Sequence, residues 1–209
     1  MFQLVAFDLY GTLLDIGGLA ARMEPLVGPS AARLLADWRR EQVERSWECN
    51  RTGRYEAWDR VTASALEKVA PELRESTRRE LQRLWRTVPA YADAGQALAE
   101  TRHRGARCAI LSNGTRAMIV SALGAAGLEV DRILSADDVG VYKTDPRVYA
   151  LLDGEASREA TVFVSSNGWD AEGARRDGRT VAWIDRGGEP PAVEPNYRIH
   201  SLSEVVSIL

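Results

Sequence analysis

The sequence predicts an α/β protein, a parallel sheet flanked by helices and interrupted after its first strand by an inserted helical cap. Three observations point there. Apolar runs of strand length recur at Leu4 to Phe7, Cys108 to Leu111, Thr161 to Val164 and Val181 to Ile184. Helical patterns lie between the later runs, from Arg116 to Ala126 ending at Gly127 and from Trp169 to Asp177 ending at Gly178. The stretch 15–89 holds no convincing strand.

The first run ends at an acid followed by Gly11-Thr12, as a buried strand feeding a loop does. The stretch 15–89 reads as several amphipathic helices with breaks near Gly28-Pro29, from Asn50 to Gly53 and at Pro71. The core is then discontinuous, residues 1–14 plus 90–209, with 15–89 as the helical cap. Strands alternating with helices give βαβ units and a parallel sheet. Residues at the carboxyl ends of such strands share one crevice. No internal repeat, low-complexity tract or flexible linker breaks this organisation.

Across 209 residues the chain mixes 45% apolar with 27% charged residues, enough to bury a core without disulfides or a structural metal. A net charge of -3 leaves no electrostatic footprint for nucleic acid. Arginines alternate with Glu and Asp along the helical stretches, as on a solvated face. Cys49 and Cys108 have neither CxxC nor Cys/His ligand spacing. Cys108 reads as buried filler, and a disulfide between the two stays open at this point. The opening residues Met1 to Phe7 lack a basic region and a cleavage site and are not read as a signal peptide. No apolar stretch approaches the ~20 residues that span a bilayer. A soluble, cytoplasmic protein without nucleic-acid or membrane partners is expected.

Four groups fall at the predicted strand ends. In Phe7-Asp8-Leu9-Tyr10-Gly11-Thr12-Leu13 the Asp follows a buried strand and points into the crevice, although an isolated acid there more often caps the next turn. In Ile110-Leu111-Ser112-Asn113-Gly114 two small hydrogen-bonding residues suit a carboxylate or phosphate, and also suit an ordinary turn. Lys143, within Val141 to Tyr149, would hold a neighbouring carboxylate ionised; a surface lysine is the competing reading. Asp170, after Phe163-Val164-Ser165-Ser166-Asn167-Gly168-Trp169, opens a helix where negative charge is favoured, with a plain helix-start acid as the alternative. Together they put nucleophile, anchor, cation and second acid on one rim. In the cap, Arg39 shares an apolar stripe with Leu35 and Val43, close to Trp38, Gln42 and Trp47. An unpaired guanidinium is costly there, so it is paired with a carboxylate, snorkels to solvent or is functional.

Ala6 to Leu13, Leu111 to Gly114, Val141-Tyr142-Lys143 with Arg147-Val148-Tyr149, and Phe163 to Asn167 with Trp169-Asp170 occur in the order and spacing of the haloacid dehalogenase superfamily. The chain resembles its L-2-haloacid dehalogenase (type II) subfamily. The resemblance spans most of the core and implies a Rossmann-like parallel-sheet core with an inserted helical cap subdomain. Phosphatases of the superfamily carry a second Asp two residues after the nucleophile, the acid/base for the leaving alcohol. Tyr10 stands at that position here, and a halide leaves without a proton. With Ser165, Ser166 and Asn167 neutral and Lys143 positive, the oxygen ligands of a typical Mg²⁺ site are also lacking. Neither a metal nor another cofactor is expected.

The resemblance implies conversion of (S)-2-haloalkanoic acids to (R)-2-hydroxyalkanoic acids plus halide. Asp8 attacks C2 and forms an aspartyl ester, with Lys143 and Thr12 holding the nucleophile. Ser112 and the backbone N–H groups of Leu9 and Tyr10 bind the substrate carboxylate, and Arg39 and Asn113 receive the halide. Asp170, positioned by Ser165 and Asn167, activates the hydrolytic water. Trp58 and Trp169 wall the alkyl end, and Tyr149 supports Asp8 or the pocket; either tryptophan equally suits core packing. His103 and His200 fall in no motif. A homodimer is also implied. Three positions depart from the family. Thr144 follows Lys143 where proline is usual and is expected to shift the backbone that aims it. Arg45 replaces a frequent aromatic, an extra cation expected near the mouth. Gly168 replaces a small residue and is expected to be neutral. The alternatives are a phosphatase of the same superfamily and a catalytically idle binding protein of the same fold.

Overall fold

The sheet is built around a wholly buried strand, β1 (Leu4–Phe7). The computed structural model describes residues 2–209; Met1, the first residue of the expected core segment, lies outside the described residues. The other strands are β2 (Arg107–Ser112), β3 (Arg132–Ser135), β4 (Thr161–Ser165), β5 (Thr180–Ile184) and β6 (Tyr197–Ile199), in the order β3-β2-β1-β4-β5-β6. Every pairing is parallel. Phe7 is in register with Ile110 on β2 and Val164 on β4, so the three central strands end at one level. The chain proceeds in opposite directions on the two sides of β1, which opens a crevice at the carboxyl ends of the strands.

The four apolar runs are the four central strands. The edge strands β3 and β6 escape a search for apolar runs because they are half exposed: Arg132, Tyr197 and Arg198 face solvent. Edge strands are commonly short and charged, which protects them from pairing with other chains.

Between β1 and residue 90 the described chain is helical: α1 (Leu19–Val27), α2 (Ala31–Thr52), α3 (Trp58–Val69) and α4 (Glu75–Leu84). A 3-10 turn over Gly28–Ser30 separates the first two. Gly53 ends α2 with φ at 67°, a left-handed conformation that glycine adopts at no steric cost. The chain leaves and rejoins the sheet side by side, with Asp15 N–H donating to Pro89 C=O (2.7 Å) and Tyr91 N–H to Leu13 C=O (2.9 Å). On α2 the buried stripe is Leu35, Trp38, Gln42 and Val43, whereas Trp47 is 42% exposed. Trp38 meets Trp85 edge to face at 5.5 Å and donates its indole N–H to Thr62 C=O (2.8 Å).

The remaining helices are α5 (Ala94–His103), α6 (Arg116–Ala126), α7 (Pro146–Ala150), α8 (Gly168–Arg176) and α9 (Val205–Ile208). Thr115 caps α6 by accepting from Met118 N–H, and left-handed Gly127 ends it. Cys49 and Cys108 are both buried and free, so no disulfide joins them. Burial pushes the Cys108 thiol up to about 12, leaving it a small inert hydrophobe. Among the described residues no helix is long and apolar enough to cross a membrane.

Gly168 sits where the fold leaves no room for a side chain. A Cβ at this position would overlap the Glu189 carbonyl oxygen and lie 2.8 Å from the Pro190 carbonyl carbon, backbone that cannot swing aside. The segment after β5 therefore lies directly on the start of α8. Gly168→Ala should lower stability by about 1–3 kcal/mol through overpacking. Gly124→Ala, in exposed α6 with open space at its Cβ, should raise it by roughly 0.5–1 kcal/mol. Urea unfolding midpoints of the two variants check the contrast, and equal shifts of one sign would refute it.

Candidate active site

Asp8 follows β1 directly and is only 6% exposed. Its Oδ2 accepts from Thr12 Oγ1 (3.1 Å) and from Asn167 Nδ2 (2.8 Å), and its Oδ1 from Lys143 Nζ (3.0 Å). Thr12 is itself fixed by accepting from Ser166 N–H (2.9 Å). Gly11, with φ at 93°, makes the turn that brings Thr12 back to the carboxylate.

Lys143 is fully buried. Its Nζ lies between Asp8 and Asp170, donating to Asp170 Oδ2 at 2.8 Å, with the Phe163 ring centroid 4.9 Å away. Burial works to lower its pKa, but the charges of Asp170 and Asp8 overturn that effect and hold the ammonium above the usual lysine range. The lysine comes from a loop, not from a strand end, and two backbone grips aim it. Lys143 N–H donates to Asn113 Oδ1 (2.9 Å). Asn50, near the end of α2, takes Tyr142 N–H on its Oδ1 and gives its Nδ2 to Tyr142 C=O, each at 2.8 Å. Thr144 after the lysine therefore does not misdirect it, and the Lys143–Thr144 peptide is cis.

Asp170, in the first turn of α8, is fully buried. Ser165 Oγ donates to its Oδ2 (2.9 Å) and the Tyr149 hydroxyl to its Oδ1 (2.8 Å). Burial, reinforced by the charge of Asp8, outweighs Lys143 and raises its pKa. Burial and Asp170 keep the Tyr149 phenol far above its ordinary range, so it stays a donor.

Two expected roles are corrected here. The Asn167 side chain bonds Asp8 rather than the Asp170 carboxylate, turning back over the β1 loop, where it also reaches Tyr10 C=O at 3.3 Å, while its own C=O accepts from Asp170 N–H (3.0 Å). Tyr149 supports Asp170 from behind and does not line the pocket, being fully buried between Asp170 and the Phe163 ring.

Above these groups lies a small cavity, lined by Asp8, Tyr10, Ser112, Asn113, Gly114, Lys143 and Trp169 from the sheet side and by Arg39 and Trp58 from α2 and α3. Donors around it have no protein acceptor among the described residues: the backbone N–H groups of Leu9 and Tyr10, the Asn113 amide nitrogen and the half-buried Arg39 guanidinium. Burial lowers the Arg39 pKa while Asp8, Tyr10 and Asp170 oppose it; a guanidinium remains charged under such a shift. The Tyr10 hydroxyl turns away to donate to Trp85 C=O (3.1 Å). Arg45, expected near the mouth, instead pairs with Glu56 (3.3 Å) and does not line this cavity.

Sequence reasoning passed over Asn50 as a helix break and left Ser166 without a role, although Ser166 sits inside a motif already singled out. Nothing in the residue pattern signals Asn50, because its partners are backbone atoms. Among the described residues no three His, Cys, Asp or Glu side chains gather as a metal site.

Residues 2–178 match the haloacid dehalogenase-like hydrolase family. The chain is 35% identical to the (S)-2-haloacid dehalogenase of Pseudomonas sp. (strain YL), covering 98% of this chain and 93% of that protein. It is 36% identical to (S)-2-haloacid dehalogenase 4A of Burkholderia cepacia, covering 97% and 93%. Its fold superposes with a TM-score of 0.93 on L-2-haloacid dehalogenase from Xanthobacter autotrophicus with chloropropionic acid covalently bound, at 28% identity, covering 100% of this chain and 98% of that one. The strand order, the carboxylate at the end of β1 and these full-length matches place the chain in the haloacid dehalogenase-like hydrolase family.

Proposed function

We propose that this protein is a hydrolytic (S)-2-haloacid dehalogenase that converts (S)-2-haloalkanoic acids to (R)-2-hydroxyalkanoic acids and halide. The observation that carries the reading is a buried ammonium holding Asp8 against a small cavity rich in free N–H donors. Asp8 attacks C2 opposite the halogen, forming the aspartyl ester and inverting the carbon. Lys143, Thr12 and Asn167 fix the carboxylate through three hydrogen bonds, which pre-orients the reacting oxygen. The N–H groups of Leu9 and Tyr10 with Ser112 take the substrate carboxylate. Arg39 and Asn113 meet the halide as its charge develops. Asp170, held by Ser165 and Tyr149, draws the proton from the water that opens the ester. The small 2-halo acid and water are the reactants this chemistry requires, and the halide is its leaving group.

Residues 15–89 act as the cap over a core of 1–14 and 90–209. Arg39 and Trp58 lie across the cavity from Asp8, and the hydrogen-bonded junction at Leu13 to Asp15 and Pro89 to Tyr91 supports a movable unit on a paired hinge. A phosphatase is disfavoured because the Tyr10 hydroxyl is engaged by Trp85 C=O and leaves no acid for an alcohol. We further place the enzyme in the cytoplasm, which two free cysteines support. The resemblance to the subfamily supports a homodimer; sedimentation equilibrium should give twice the chain mass, and a single-chain mass would end that part.

Halide should be released from L-2-chloropropionate and not from the D-isomer, in the presence of EDTA, and Asp8→Asn should abolish it. Release that needs Mg²⁺, or that survives the substitution, would overturn the mechanism. The pH profile follows from the two shifted groups. Asp170 must be ionised to act as base, and its raised pKa puts the acid limb of turnover above the ordinary carboxylate value of 3.8. Lys143 must stay charged, and its raised pKa puts the alkaline limb above 10.5. Ser165→Ala removes a donor to the ionised form and should move the acid limb further up; an unmoved limb would mean that another group titrates.

A further inference from the structure

Trp58 opens α3 and is 1% exposed. One side of its ring packs edge to face on Tyr142, with centroids 5.3 Å apart, and the residue lines the cavity with Asp8, Arg39 and Asn113. Its indole Nε1–H is buried and donates to no atom of the described residues. Two other buried tryptophans differ: Trp38 donates to Thr62 C=O (2.8 Å) and Trp183 to Ser166 C=O (3.1 Å). Trp85 Nε1 is also without an acceptor, but Trp85 does not line the cavity. A buried donor without an acceptor is a standing cost to the fold. A phenylalanine would wall the cavity equally well without it. At the rim of a ligand cavity, the missing acceptor is most simply a ligand atom.

We propose that Trp58 is a halide-binding residue, its indole N–H donating to the halogen as the carbon–halogen bond breaks. This rests on the dehalogenase reading. Trp58 lies on the helical side of the cavity with Arg39, whereas the free N–H groups of Leu9 and Tyr10 lie at the end of β1. The acceptor is therefore the leaving atom and not the substrate carboxylate. In the step, one Asp8 oxygen forms the new C–O bond, and the halide departs with both electrons of the broken bond. No proton moves; the indole keeps its hydrogen and shares it with the anion. A neutral donor adds no charge to a site that already holds two cations, so the halide can still leave.

The test is ¹⁵N-indole NMR of the wild-type protein titrated with sodium bromide and, separately, with sodium propionate. Trp58→Phe identifies the resonance by its loss. Should that variant not fold, benzothienylalanine at position 58, isosteric and without the N–H, serves instead. A saturable shift of the Trp58 Nε1–H signal with bromide and none with propionate is expected. No shift with bromide, or a shift with propionate alone, overturns the proposal. In turnover, loss of the N–H should lower kcat for L-2-chloropropionate about tenfold with KM within about twofold, and should affect the bromo substrate less because bromide accepts more weakly. Equal losses on both substrates would mean lost packing and overturn the donor role. If the wild type released no halide at all, the dehalogenase reading would fall, while the bromide titration would still decide whether this N–H binds an anion.

Discussion

The ammonium of Lys143 is the interaction on which the rest of the site depends. It stands between Asp8 and Asp170, two buried carboxylates that would otherwise repel each other in a medium of low dielectric. Removing one partner from a buried ion pair typically destabilises a protein by about 3–5 kcal/mol. Folding and reactivity are therefore served by the same contact. It also joins three places far apart in the chain: the end of β1, the loop after β3 and the start of α8. A lysine has three N–H donors; two go to carboxylates, and the Phe163 ring offers a π face near the rest of the ammonium.

A single cation can do this only if its backbone is held, and the holding comes from outside the rim. Asn50 grips Tyr142 by both its N–H and its C=O, the geometry of a sheet ladder supplied by one side chain. Because Asn50 lies on α2, the helix that carries Arg39 also steadies the residue before Lys143. On the opposite side, buried Arg179 donates to Tyr149 C=O (2.8 Å) and pairs with Asp153 and Asp177. Gly173 lets the Tyr149 hydroxyl come close to α8, since a Cβ there would lie 2.5 Å from its oxygen. Tyr149 thus stands between two fixed groups, and Asp170 inherits that rigidity. Positions of catalytic groups are reproducible only when such outer contacts lock their rotamers.

The sequence made the centre of the fold legible because central strands of a parallel sheet are buried on both faces and read as continuous apolar runs. β3 and β6 were not legible because an edge strand carries polar residues on its open side. Asp8, Ser112, Asn113 and Asp170 could be gathered on one rim from chain order alone, since strand ends in a parallel sheet converge, whereas Lys143 comes from a loop and only its shared motif pointed there. Which carboxylate a neighbouring donor would choose could not be gathered that way. Asn167 and Tyr149 were each one partner off, a matter of side-chain torsion and not of topology. The need for glycine at position 168 was not legible for a related reason, because the backbone that forbids a Cβ there arrives from residues 189–190, about twenty positions away.

The charges of the site explain why two carboxylates can take successive roles. Asp8, Asp170, Lys143 and Arg39 sum to zero, so displacement of a halide moves charge within the site and does not create it. In the proposed displacement, negative charge leaves Asp8 beside Lys143 and passes to the anion beside Arg39. Once Asp8 is an ester it is neutral, and its contribution to the raised pKa of Asp170 disappears. Lys143 then faces a single carboxylate. Both changes favour the ionised form of Asp170, the form that can accept a proton from water. On the proposed roles, the nucleophile restrains the base while it is itself charged and releases it by reacting, so the order of the two steps follows from the electrostatics of one buried triad.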